Sequence, residues 1–165
     1  MIPEGLTTQG LLVKRYIARA IDSFLLASLA FAAGFAGTLL LPDSYGGIAG
    51  ILLIGLPVAA LWIAYETLLE ASPWQATLGK RFLGLKVYNS EGRRLPLRQA
   101  AARNLTKDGP FLLFAVLPGA QWLVLAWLAA HLVVLHRSPL SLAIHDRVAR
   151  TSVAAPQAAL QLRIG

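Results

Sequence analysis

Long apolar runs alternate with shorter polar segments along this chain of 165 residues. Apolar residues fill residues 20–41, residues 48–65 and most of 97–135, and Asp22 is the only charged residue in the first run. About 20 residues, at 1.5 Å each, cross the hydrocarbon core of a bilayer, which is close to the length of the first two runs. The pattern therefore predicts membrane-spanning helices.

A cleaved signal peptide is the alternative interpretation of the first run, because Lys14, Arg15 and Arg19 precede it. The apolar core of a signal peptide is only about 7–15 residues long, and the run here is longer and carries the carboxylate of Asp22. We therefore favour a retained helix.

The polar segment 70–107 separates the second apolar run from the third. It holds more than half of the fifteen Lys and Arg residues, opposed by Glu70 and Glu91. Lys and Arg concentrate in the cytoplasmic loops of membrane proteins, so this pattern indicates an inner loop. Within that loop we expect Phe82 and Leu85 to lie on lipid, although an ordinary solvated loop explains the pattern equally well.

The third apolar region has two possible topologies. A single helix over 111–135 would put the C-terminal arginines outside. A hairpin, with helices at 97–117 and 120–135 and a turn at Pro118 and Gly119, returns the C-terminus to the inner side. The hairpin leaves Asp43 as the only charge on the outer side, so the positive-inside rule favours four helices.

Composition narrows the class of protein further. Hydrophobic residues make up 56% and charged residues 14% of the chain, outside the range of soluble domains. The net charge of +7 would suggest nucleic-acid binding in a soluble chain, but here the cations are sorted to one side, so we expect no nucleic-acid partner. The chain has no cysteine, which excludes disulfides and thiolate chemistry.

These observations predict an all-α fold, a polytopic bundle of four transmembrane helices with both termini in the cytoplasm. The predicted parts are an N-terminal tail (1–12), a transmembrane domain (13–153) with helices at about 15–41, 48–70, 97–117 and 120–136 and an inner loop at 71–96, and a C-terminal tail (154–165).

Ionisable residues at the inner ends of three predicted helices recur at helical spacing, so residues of each helix share a face. Such residues are costly inside a membrane and usually pair or serve function. The candidates for binding an ion or proton are Asp22, Glu66, Glu70 and Asp108, and the candidate counter-charges are Arg15, Arg19, Arg103 and Lys107.

Two interpretations of these charges stay open. They form a belt that holds the helices in register, or they bind a small cation or proton in a transporter or exchanger. A non-transporting scaffold or accessory subunit, whose basic loop binds anionic lipid or a protein, is the alternative function. No nucleophile motif, metal-ligand pattern or dinucleotide motif is present, so we expect no enzyme activity, no catalytic residue, no metal and no cofactor.

The expected partners follow from the same reading. They are the lipid bilayer, its anionic head groups and a second copy of the chain. Small residues in the first helix, which allow helices to approach closely, favour a homo-oligomer. They are Ala30, Ala33, Gly34 and Gly37.

Three motifs in order resemble the RDD family of small bacterial membrane proteins. The first is RYIARAIDSFLL, which begins at Arg15 and contains Asp22; the second runs from Glu70 to Arg81 and continues through GLKVYNSEGRRL; the third is HDRVARTSV, which begins at His145. Leu78 stands where many members have proline, and Arg150 stands where the family usually has glycine.

The resemblance covers nearly the whole chain and implies a multi-pass protein of the bacterial inner membrane with suspected transport. It supplies no substrate. The residues that match family motifs are Arg15, Asp22, Gly79, Lys80, His145 and Asp146.

Overall fold

The computed structural model describes residues 5–40, 53, 55–116, 121–138 and 140–156. Six helices lie in these ranges: α1 (Leu12–Leu40), α2 (Leu56–Ala71), α3 (Leu78–Phe82), α4 (Leu97–Val116), α5 (Gln121–Arg137) and α6 (Ile144–Val148). Three short strands accompany them: β1 (Leu6–Thr7), β2 (Lys86–Asn89) and β3 (Thr151–Pro156). The fold is therefore mostly helical, as predicted, but it is not all-α, because it includes a small sheet that we did not predict.

Helix α1 carries the clearest membrane signal. Among the described residues, Leu12–Leu39 is the only helix long and apolar enough to cross a bilayer, and Trp122–Arg137 is a shorter apolar helix. Large side chains of α1 such as Phe24 and Phe31 are exposed, as expected of a lipid-facing surface. The four-span arrangement and the cytoplasmic termini stay predictions. Asp43, predicted on the outer side, and the predicted turn at Pro118 and Gly119 lie outside the described residues.

Helices α4 and α5 lie side by side. The indole Nε1 of Trp127 donates a hydrogen bond to the backbone carbonyl of Lys107, at 3.5 Å. In one continuous helix those residues would be about 30 Å apart along the axis. The single-helix alternative for 111–135 is therefore wrong, and the chain reverses between the two helices.

The sheet joins distant parts of the chain in the order β1-β3-β2. Both contacts are antiparallel, with Leu6 opposite Pro156 and Val87 opposite Val153. The central strand thus spans the predicted boundary between the transmembrane domain and the C-terminal tail, since it includes residues 151–153 of the domain and 154–156 of the tail. Its pairing could not be predicted because β2 and β3 are far apart in sequence and alternate weakly.

The inner loop is folded rather than solvated. Leu85 is fully buried, so the expectation that it lies on lipid is wrong, whereas Phe82 is 81% exposed. A small hydrophobic core lies between the sheet, α1 and α4. Its buried members are Leu11, Ala18, Leu85, Val87, Leu95, Ala100, Val153 and Ala155. This core holds the loop against the polar end of α1.

Candidate functional site

Asp22 occupies a socket of neutral hydrogen-bond donors. Its carboxylate accepts bonds from the Tyr65 hydroxyl at 2.8 Å, the Thr77 hydroxyl at 2.6 Å and the Gly79 backbone N–H at 2.9 Å. The residue is only 1% exposed. Hydrogen bonds to a buried carboxylate replace the water it has lost, so this socket ties α1 to α2 and to the loop.

Gly79 allows the loop to approach α1 this closely. A Cβ atom at that position would lie 2.2 Å from the backbone oxygen of Ala18. Because Gly79 has no side chain, the first turn of α3 can rest on the backbone of α1 and direct the Gly79 N–H at Asp22. This close contact explains why glycine occupies position 79.

A second group of charges, which we call the junction, consists of Arg15, Glu70, Lys80, Arg103 and Asp146. Arg103 is at its centre and is 1% exposed. One of its terminal nitrogens, Nη1, donates to both carboxylate oxygens of Glu70, at 2.6 and 2.7 Å, and Nη2 donates to Asp146 at 2.8 Å. Arg103 therefore links α2 to α6.

The remaining members complete the junction. Lys80 contacts the same Glu70, and Arg15 donates to Asp146 Oδ2 at 2.6 Å. Arg15 thus joins the start of α1 to the C-terminal motif rather than pairing with Asp22. These ion pairs between residues distant in sequence join α1, α2, α3, α4 and α6 to one another.

The backbone next to the junction is strained. Ser141 has a φ of 52° and Arg150 a φ of 51°, both in the left-handed region that favours glycine. The Ser141 carbonyl accepts a hydrogen bond from Arg15. Arg150 thus adopts the left-handed turn expected of the family glycine, at the energetic cost of a non-glycine residue there.

His145 and Asp146 sit on α6, at the inner end of the bundle. The Nδ1 atom of His145 lies 2.9 Å from the Nε2 atom of His131. Burial lowers the pKa of the His145 ring well below its usual value. Burial alone would raise the pKa of the Asp146 carboxyl, but the adjacent His145 ring and the guanidinium groups of Arg15 and Arg103 hold it well below its usual range.

The third group, which we call the cavity cluster, consists of Arg19, Glu66, Lys107 and Asp108. Arg19 donates to Glu66 through Nη1 and to Asp108 Oδ1 through Nη2, the latter at 2.7 Å. The Lys107 ammonium contacts Glu66 Oε2 and lies 3.4 Å from Asp108 Oδ2. The two carboxylates therefore share both cations.

A cavity of about 180 Å³ lies over this cluster. All four cluster residues line it, and Leu128 and Leu132 of α5 are among the apolar residues that line it. In the described part of the chain, no group of three or more His, Asp or Glu side chains is arranged to hold a metal ion. Asp22 also lines the cavity, as do Arg15, Lys80 and Arg103. The cavity is therefore lined by three carboxylates and five cationic side chains.

The sequence-predicted residues divide among these groups. Glu66 and Asp108 meet in the cavity cluster with Arg19 and Lys107, whereas Glu70 is held by Arg103. Asp22 lines the same cavity but is bonded within the socket. Sequence reasoning missed Tyr65, Thr77 and Asn104; the Nδ2 of Asn104 donates to Glu70 Oε2 at 3.2 Å. Only their position in the sequence could have indicated a role for these residues, since each lies within four residues of a predicted charged site residue.

Comparison with known proteins agrees with the motifs. No curated protein and no solved structure gives a significant match to the chain. A sequence model of the RDD family matches residues 10–150, a range that contains the socket, the junction and the cavity cluster. The chain therefore belongs to the RDD family.

Proposed function

We propose that this protein is a small membrane transporter or exchanger of cations or protons, with Glu66 and Asp108 as its binding carboxylates. The observation that carries the proposal is the cavity cluster. Two carboxylates from different helices line one cavity, and one oxygen of each pairs with the same ammonium group, that of Lys107. Carboxylate oxygens are the ligands that hard cations prefer.

The cluster differs from the junction in how its carboxylates are held. An unmet hydrogen bond on a buried carboxylate costs about 1–3 kcal/mol, and Glu70 avoids this cost through direct bonds from Arg103 and Asn104. Glu66 and Asp108 instead share two cations, Arg19 and Lys107, and both line a cavity. This arrangement supports a ligand-binding role for the pair.

Pro110 adds a further feature near the cluster. It lies inside α4 and has no N–H, so it cannot bond to the carbonyl of Thr106 as a helical residue would. Interrupted helices expose backbone carbonyls where they line cavities in membrane proteins, and such oxygens also bind cations. The proline therefore supports a cation-binding site beside α4.

Arg19 is the permanent counter-charge in the proposal. Its side chain is 36% exposed and its guanidinium carbon lies 4.9 Å from the centre of the Trp62 ring. Asp22, Glu70 and Arg103 hold the helices around the cavity. The proposal assigns no catalytic chemistry and no cofactor.

Flux in proteoliposomes tests the proposal. We expect Glu66→Gln and Asp108→Asn each to lower cation or proton flux per folded molecule by at least about tenfold, the effect of losing about 1.4 kcal/mol of binding. Glu91→Gln is the matched control, since that carboxylate lies on the surface with a side chain 59% exposed. Unchanged flux in both cluster variants, or no flux in the unaltered protein, would overturn the proposal.

A basic surface favours the second candidate function, a scaffold or accessory subunit that binds anionic lipid. Exposed arginines surround one groove beside the 60% exposed Val148. They are Arg93, Arg94, Arg98 and Arg150. Such a cluster attracts anionic head groups by about 1 kcal/mol per cation. This candidate predicts that glutamine at all four positions reduces anionic lipid recovered with the purified protein, and that the unaltered protein moves no ion.

Topology and self-association belong to the same proposal. We expect an inner-membrane protein with cytoplasmic termini that forms a homo-oligomer through α1, where Ala33 and Gly34 give small surfaces beside the exposed Phe31 and Phe35. The chain has no cysteine, so single cysteines at Thr7 and Ser152 can be labelled without background. Labelling of the two positions from opposite sides would contradict the topology.

A further inference from the structure

We propose that α3 and the start of β2 form a binding site for an anionic phospholipid at the membrane surface. Leu78 and Phe82 enter the acyl chains of the bilayer, while Arg81 and Lys86 hold the phosphate of the head group. The inference goes beyond the proposed function, because it holds whether or not the protein moves an ion. It also concerns a different surface from the groove of the second candidate function.

Helix α3 has one face on protein and one apolar face that is exposed. Gly79 is buried against α1, whereas Leu78 is 43% and Phe82 81% exposed. Residues four apart lie on the same face of a helix, so these two large side chains form one patch. Exposed apolar patches mark surfaces that bind a membrane or another protein.

The position of α3 along α1 places this patch at the membrane boundary. The candidate span Leu12–Leu39 has 28 residues, so it is about 42 Å long. Centred in a bilayer, it extends about 6 Å beyond each side of a hydrocarbon core about 30 Å thick. Gly79 packs on the backbone of Ala18, about 9 Å along α1 from Leu12. The patch therefore lies where head groups give way to acyl chains.

The exposed surface of α1 continues from α3 into the membrane. Ala18, Asp22 and Leu25 lie on one face of α1, because they are spaced four and three residues apart. Ala18 and Asp22 contact α3 through Gly79, whereas Leu25, one turn deeper, is 44% exposed. A lipid chain that covers Leu25 reaches α3 next. This continuity assigns the patch to lipid rather than to a second protein.

A cavity of about 320 Å³ beside α3 supplies the head-group site. Arg81, Lys86, Trp74 and Tyr88 line it, and no Asp or Glu of the described chain does. The guanidinium carbon of Arg81 lies 3.9 Å from the centre of the Trp74 ring. This stacking fixes the plane of the guanidinium and leaves its N–H edge available for the oxygens of a phosphate.

The charge of these two cations is not balanced by the protein. Among the described residues, neither Arg81 nor Lys86 pairs with a carboxylate, whereas Lys80 contacts Glu70. Because Arg81 directly precedes Phe82, one ligand can meet a cation and the apolar patch together. An anionic phospholipid has both parts, and free phosphate would leave the patch exposed.

Fluorescence quenching in lipid vesicles tests the position of α3. The chain has no cysteine, so Phe82→Cys or Leu78→Cys can carry a single fluorophore. Phosphatidylcholine that is spin-labelled near its glycerol should quench the fluorophore at either position several times more strongly than at Gln9→Cys. Gln9 is the control because it is exposed and precedes α1, so it lies outside the hydrocarbon core.

Lipid selectivity at position 82 tests the head-group site. Spin-labelled phosphatidylglycerol should bind beside the fluorophore at least about fivefold more tightly than spin-labelled phosphatidylcholine, since each cation near the surface contributes about that factor. Arg81→Gln combined with Lys86→Gln should remove the preference. Arg94→Gln, in the groove of the second candidate function, is the matched control and should leave the preference unchanged.

All of the substituted side chains are exposed, and thermal unfolding of each variant checks that it is folded. Leu78→Cys carries the test if Phe82→Cys does not fold. Equal quenching at positions 9 and 82 overturns the inference, and so does a preference for phosphatidylglycerol that is absent at first or survives the double substitution. Quenching that falls as the protein density in the vesicles rises would assign the patch to a second copy of the chain and overturn it as well.

Discussion

The junction and the cavity cluster are two neighbouring groups of buried charges whose carboxylates are paired differently. In the junction, Glu70 and Asp146 have direct hydrogen-bond partners on both carboxylate oxygens. In the cavity cluster, one oxygen of Glu66 and one of Asp108 share the single ammonium group of Lys107. Both groups are buried, so burial alone does not distinguish them, whereas the pairing of each carboxylate oxygen does.

The two groups also differ in what they connect. The junction joins residues as far apart as Arg15 and Asp146, so it closes the chain from end to end. The cavity cluster joins only α1, α2 and α4. Both groups line the same cavity, to which the junction contributes Arg15, Lys80 and Arg103. We infer that the junction carries more of the stability of the bundle.

Arg103→Met should produce the largest effect. It leaves the carboxylates of Glu70 and Asp146 without their shared guanidinium in a fully buried position, and breaking a buried pair in this way costs about 3–5 kcal/mol. The loss should appear as a lower free energy of unfolding in detergent. Arg98→Met, on the exposed side of α4, should change stability by less than about 0.5 kcal/mol. Equal effects of the two substitutions would mean that the junction is not structural.

Gly79→Ala should be next in size. The new methyl group would lie 2.2 Å from the Ala18 oxygen, and overpacking of this kind costs about 1–3 kcal/mol. Gly109→Ala is the matched control, because a Cβ there meets nothing within 4 Å. Thermal unfolding of both variants measures the difference, and a stable Gly79→Ala protein would show that α3 does not rest on α1.

Asp22→Asn separates the socket from the cavity cluster. An amide cannot accept all three hydrogen bonds that the carboxylate accepts, so the free energy of unfolding should fall by about 1–3 kcal/mol. Flux per folded molecule should change little, in contrast to Glu66→Gln. Loss of flux at unchanged stability would move Asp22 from the socket into the ion-binding site.

The smallest effect should be the pH dependence that comes from His145. Burial lowers the pKa of its ring well below the usual value, so the folded state binds fewer protons than the unfolded state. Its contribution to stability is complete above about pH 6.5 and is lost as the pH falls below that value. His145→Gln should therefore flatten the decline in melting temperature between pH 8 and pH 5.5, whereas His136→Gln, on the exposed surface of α5, should not. An unchanged slope in the His145 variant would contradict a buried neutral ring.

Much of the fold could be predicted from local pattern. The helical class follows from apolar runs of spanning length, and the separation of α4 from α5 follows from Pro118 and Gly119 together with the sorting of cations. The sheet could not be predicted in the same way. Its strands are two to six residues long and pair across most of the chain, so no local period reports them.

The candidate site shows the same division. Helical spacing placed Arg103 and Lys107 on one face of their helix, because residues three or four apart share a face. The predicted topology placed Glu66 near the same depth in the membrane. Spacing cannot choose between partners on different helices. Arg15 lies on the same helical face as Asp22 but donates a hydrogen bond to Asp146. Glu70 pairs with Arg103 rather than with Lys107.

The sequence by itself determined the chain's helical class, its apolar and basic segments and, through its ordered motifs, its family. These properties depend on composition, on apolar runs and on short motifs, all of which can be read from neighbouring residues. Only the tertiary structure decided which cation each carboxylate pairs with and which charges line a cavity, because that outcome depends on how far each side chain lies from groups brought by other helices.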